Sequence, residues 1–78
     1  MVVTYDAVLQ MKQAVKEAGL PYVHFHDGCG GQYFSLDEAN QALRAFLVQY
    51  YDAQGVEAVF SEDGLHFILE KREEESKK

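Results

Sequence analysis

The sequence predicts an α+β domain of order αββαββ, with a four-stranded, mostly antiparallel sheet and two helices on one face. Three observations carry this expectation. Two segments with apolar residues at helical spacing alternate with two pairs of short β-type runs. Each helical segment ends at a glycine, Gly19 or Gly55. Each β pair contains an Asp-Gly step, Asp27-Gly28 or Asp63-Gly64, the strongest short hairpin signal.

The first helix is expected from Tyr5 to Ala18. Thr4 is its N-cap, and Val3 and Val8 have the spacing of a hydrophobic staple. Val8, Met11, Val15 and Ala18 form a narrow apolar stripe. Lys12 and Lys16 favour the helix dipole in the later turns, and Pro21 prevents continuation beyond Gly19. Tyr22 to His26 is the first strand, Gly28 to Gly31 a bend, and Gln32 to Ser35 the returning strand.

Ser35-Leu36-Asp37-Glu38 reads as a capping box, with Ser35 as N-cap and Glu38 three residues on. The second helix then runs to about Ala53 and buries Leu36, Ala39, Leu43, Phe46, Leu47 and Tyr50. Val56 to Phe60 and Leu65 to Glu70 form the second hairpin around Asp63-Gly64. The domain therefore spans residues 1–70. Residues 71–78 are expected to be a disordered, charged tail.

The two αββ units can be laid over one another. Gly19 falls on Gly55, Val23 on Val59 and Asp27-Gly28 on Asp63-Gly64; a gap then brings Phe34 over Phe67 and Leu36 over Leu69. With Asp63-Gly64 as the loop, Phe60 faces Phe67 and Val59 faces Ile68. Val56, Ala58, Phe60, Phe67 and Leu69 then meet the helices, and Val59 and Ile68 lie on the other face with Glu57, Ser61, His66 and Glu70. The overlay adds Val23 and Phe25 to this open face. Val23, Phe25, Val59 and Ile68 become an exposed apolar patch, the usual mark of an interface, although scattered surface apolar residues are also ordinary. Tyr51, off the helical stripe with Val48, is a further candidate anchor.

Composition narrows the function. Seventy-eight residues make one small domain, and a single cysteine allows no internal disulfide. A chain this short needs a well-packed core, a metal or a partner chain. Its 47% apolar content, with five phenylalanines and five tyrosines, suffices for a core. The net charge is −6. Residues 70–78 balance four acids against four bases, so all of that charge sits on the body, where Lys12, Lys16 and Arg44 are the only cations. Three cations make no phosphate-neutralising footprint, so direct nucleic-acid binding is not expected. A basic partner fits the sign better. No apolar run approaches a membrane span, and Met1–Asp6 lacks the basic and apolar regions of a signal peptide. With one free thiol, the expected location is the cytoplasm.

The segment His24–Gly31 holds two of the three histidines, the only cysteine and three of the six glycines. His24 and His26 share a strand face; with Cys29 and the distant His66 they offer three nitrogens and a thiolate, a set suited to zinc. The spacing matches no common finger or ribbon, and the overlay puts His24 and His66 on opposite faces. Cys29 also suits a reactive thiol, with glycines giving access and histidines lowering its pKa, while Asp27 acts the other way. A structural explanation competes with both: a hairpin bend whose glycines take positive φ. No phosphate-binding glycine motif is present. Asp37 and Glu38 serve a helix N-terminus, and no nucleophile is paired with a base, so enzymatic activity is not expected.

These features point to a small acidic interaction module without enzymatic activity, binding itself or another protein, with a basic partner fitting the charge. The alternative is a zinc-binding or reactive-thiol protein using the His24–Gly31 loop.

Overall fold

The computed structural model describes residues 2–28 and 30–71. Its elements are α1 (Tyr5–Glu17), β1 (Val23–Gly28), β2 (Gly31–Leu36), α2 (Gln41–Asp52), β3 (Val56–Phe60) and β4 (His66–Lys71). The strands form one sheet in the order β1-β2-β4-β3, and every neighbouring pair is antiparallel. Among the described residues the sheet is thus wholly antiparallel, because each unit is a hairpin and the two returning strands meet at the centre.

Helix α1 starts as expected. Thr4 is extended and its hydroxyl accepts from the Ala7 amide at 3.1 Å. Val3 and Val8 are both buried, as a staple requires. Gly19 follows the Ala18 C-cap at φ 75°, and Gly55 follows the Ala53 C-cap of α2 at φ 74°.

The start of α2 departs from the expected capping box. Ser35 and Leu36 belong to β2, where they pair with His24 and Val23, and the Leu36 amide donates to the Leu65 carbonyl at 2.8 Å. Sheet pairing occupies the residues that the box needs. Asn40 caps α2 instead, its side-chain oxygen accepting from the Leu43 amide at 2.9 Å. The later start also rotates the buried stripe. Leu43, Leu47 and Tyr51 are buried, Phe46 and Tyr50 pack partly against them, and Ala39 lies exposed outside the helix. Tyr51, expected on the surface, is therefore a core residue.

A single core joins the stripes of both helices to one face of the sheet. Its centre is a row of four phenylalanines, one from each strand. Phe25 pairs with Phe34, Phe34 with Phe67, and Phe67 with Phe60. Their ring centroids lie 5.0, 4.7 and 4.7 Å apart. Val23, Leu36, Val56 and Leu69 flank the row.

The second hairpin has the expected register, with Val59 opposite Ile68 and Phe60 opposite Phe67. The first does not share its faces. Val23 is 1% exposed and Phe25 packs on the core, so neither lies on the open face. The cause is the position of an insertion. Gly55 leads straight into Val56, but Leu20-Pro21-Tyr22 stand between Gly19 and Val23. Val23 therefore corresponds to Val56, not to Val59. Three extra residues are an odd number, so every side chain of β1 changes face relative to the overlay.

Strand β4 runs through Lys71, which pairs with Val56. The rest of the expected tail, residues 72–78, lies outside the described residues. No described helix is long and apolar enough to cross a membrane.

Candidate functional site: the uncovered face of the sheet

Alternation along the strands sends His24 and His26, Tyr33 and Ser35, Glu57 and Val59, and His66, Ile68 and Glu70 to the face away from the helices. The three histidines thus share one face. This reverses the expected separation of His24 from His66, for the same three-residue reason that buries Val23.

Two chemical zones follow. Over β1 and β2 the face is aromatic and hydrogen-bonding. The His26 and Tyr33 rings stack at 4.5 Å with an interplanar angle of 14°. Tyr33 also meets the His66 ring at 5.9 Å. His26 Nε2 lies 2.8 Å from Ser35 Oγ, and His24 Nε2 lies 2.9 Å from Asp37 Oδ1. The second contact ties β1 to the connection before α2.

Over β3 and β4 the face is apolar and acidic. Val59 stands opposite Ile68, and both are exposed. The next pair on this face is Glu57 opposite Glu70. Like charges directly opposed across antiparallel strands are unfavourable, by roughly 0.2–1 kcal/mol. Neither carboxylate has an ion-pair partner among the described residues. Arg44 lies elsewhere, its guanidinium 4.8 Å from the Phe60 ring centroid.

The metal reading gains a shared face for His24, His26 and His66, but no group of three or more ligands capable of holding an ion occurs among the described residues. Two of the imidazoles are engaged with Asp37 and Ser35. Cys29, the proposed thiol, lies outside the described residues. Around it, Gly28 pairs with Gly31, and Gly31 has φ 112°. A strand-closing glycine in that conformation accounts for part of the glycine content of the bend.

The Ser35–His26 distance would suit a nucleophile and its base. Among the described residues, however, no carboxylate bonds the other imidazole nitrogen, and the pair lies on an open sheet and not in a cleft.

Sequence reasoning missed Tyr33 and Ser35 because their place depended on the face assignment of β1. The Glu57–Glu70 pairing was within reach: once Val59 faces Ile68, the next pair outward on that face is Glu57 with Glu70. Comparison with family models, curated proteins and solved structures finds no match for the chain.

Proposed function

We propose that this chain is a non-enzymatic module that binds a basic segment of another protein across the uncovered sheet face. The observation that carries this reading is the Glu57–Glu70 pair beside the Val59–Ile68 pair. A lysine or arginine placed between the carboxylates relieves their repulsion, and apolar neighbours on the same segment cover Val59 and Ile68. Tyr33 continues the surface toward β1 with an amphipathic ring of the kind enriched at interfaces. A net charge of −6 favours a basic partner over a second copy of the chain. The reading places the protein in the cytoplasm, where a single thiol stays reduced.

The test is an NMR titration with a peptide of alternating lysine and valine, and with its glutamate–valine counterpart. The lysine peptide is expected to shift the amides of Glu57, Val59, Ile68 and Glu70 saturably, more weakly as salt rises. The double variant Glu57→Lys/Glu70→Lys should weaken binding at least tenfold. Shifts scattered away from this face, or equal shifts there with the glutamate peptide, defeat the proposal. Native mass spectrometry addresses the rivals. A dimer disrupted by Ile68→Lys would make a second copy the occupant. Stoichiometric zinc lost on Cys29→Ser would put metal binding first.

A further inference from the structure

A place where the two αββ units differ also opens a cleft. Leu20-Pro21-Tyr22, the segment that the second unit lacks, runs beside α1 and leaves a space of about 370 Å³. Leu9, Val15, Leu20 and Val23 supply apolar walls, and Lys12 and Lys16 line the same space. The size falls toward the lower end of small-molecule sites, which span about 300–1,000 Å³.

From these observations we infer that the cleft between α1 and β1 binds a small amphipathic carboxylate, with its aliphatic or aromatic body on the apolar walls and its charge between Lys12 and Lys16.

Charge supports this occupant. The body of the chain is acidic, yet two of the four lysine and arginine residues in the described segments line this one cleft. Lys12 and Lys16 are one helical turn apart, so both can reach a single carboxylate. Tyr22 prepares the site: its hydroxyl accepts a hydrogen bond from Lys12 Nζ, which also lies 4.5 Å from the ring centroid. The ring thereby holds one ammonium over the cleft at little further entropic cost on binding. Apolar surface is available as well, since Leu9 is 46% exposed and Tyr22 is 55% exposed. Two cations on an otherwise acidic protein suit one carboxylate better than a polyphosphate.

Octanoate, octanol and octylamine test this directly on the full chain, by NMR and calorimetric titration. Octanoate is expected to bind saturably and to shift the amides of Leu9, Val15, Leu20 and Val23. Octanol should bind at least tenfold more weakly, and octylamine more weakly still. Lys12→Gln/Lys16→Gln should remove the preference for octanoate over octanol while the fold, read by circular dichroism, stays intact. Arg44→Gln should leave octanoate binding unchanged. Equal binding of octanoate and octanol by the unaltered chain overturns the inference. So does an unchanged octanoate affinity in the double lysine variant, or shifts that map away from the cleft.

Discussion

Phe34 and Phe67 stack at 4.7 Å with an interplanar angle of 6°, each only 1% exposed, where the returning strands of the two αββ units meet. The pair joins the two units, since each phenylalanine sits on the returning strand of its own unit opposite an outer phenylalanine, Phe25 or Phe60. It also links the two outer phenylalanines through the centre of the core. Phe34→Ala and Phe67→Ala are each expected to lower stability by about 3–5 kcal/mol. That is a large share of the roughly 4–12 kcal/mol expected for a chain of this size. Their effects should be non-additive, with a coupling of about 0.5–1.5 kcal/mol from the stacked rings. Urea denaturation of the two single variants and the double variant measures both quantities.

Val23 and Ile68 provide a sharper comparison, because sequence reasoning placed them on the same face. Val23 is 1% exposed and Ile68 is 40% exposed. Val23→Lys buries an unpaired charge and is expected to cost about 4 kcal/mol or more. Ile68→Lys is expected to change stability by less than about 0.5 kcal/mol. The same Ile68 variant should abolish binding of the lysine–valine peptide. Thermal melts and peptide titrations of the two variants separate a core role from a surface role.

What could be read from the sequence follows from how local each signal is. Thr4, Gly19 and Gly55 act through a single turn, and the helix ends that they mark are where they were expected. Asp63-Gly64 sets a register by counting, and the β3–β4 pairs follow it. The faces of β1 depended instead on where an insertion falls between two units. Placing the extra residues after Asp27-Gly28, and not at Leu20-Pro21-Tyr22, displaced Val23, Phe25 and the relation of His24 and His26 to His66 together. The lysine-lined cleft needed the assembled sheet and helix before it could be seen.

The cap of α2 can be assigned by substitution. Ser35 was the expected cap, but it is a β2 residue, and Asn40 makes the capping bond. Asn40→Ala is therefore expected to cost about 1 kcal/mol. Ser35→Ala removes a surface contact with His26 and is expected to cost less than about 0.5 kcal/mol. Chemical denaturation of the two variants should rank them in that order. The reverse order would restore the capping box.

Asp63 gives the second hairpin an acid dependence. The Ser61 hydroxyl and the Leu65 amide both donate to its Oδ1, at 2.6 and 2.9 Å, and hold its carboxyl below the usual aspartate range. A folded pKa below the unfolded value means that the ionised carboxylate stabilises the fold above the ordinary aspartate pKa. That contribution is lost as pH falls through the lowered folded value. Asp63→Asn keeps an oxygen acceptor for Leu65 but removes the titration. Thermal midpoints measured from about pH 6 down to pH 2 should fall less steeply in this variant than in the unaltered chain.

Tyr51 predicts the opposite limb of the pH profile. Its hydroxyl is buried without a hydrogen-bond partner among the described residues. Burial pushes its pKa above the usual phenol value, with a smaller contribution from neighbouring Tyr50. The neutral phenol is the form that the core accepts. Below the unfolded pKa, near 10, both states hold the proton and stability is flat with respect to this group. Above it the unfolded chain ionises first, so stability falls as pH rises, at up to about 1.4 kcal/mol per unit. Tyr51→Phe removes that fall together with the unsatisfied hydroxyl. The ring still packs on the core, so the variant is expected to be about 1 kcal/mol more stable at neutral pH. Denaturation at neutral pH and again above pH 10 tests both parts. A loss of stability in Tyr51→Phe at neutral pH would mean that the hydroxyl has a stabilising partner.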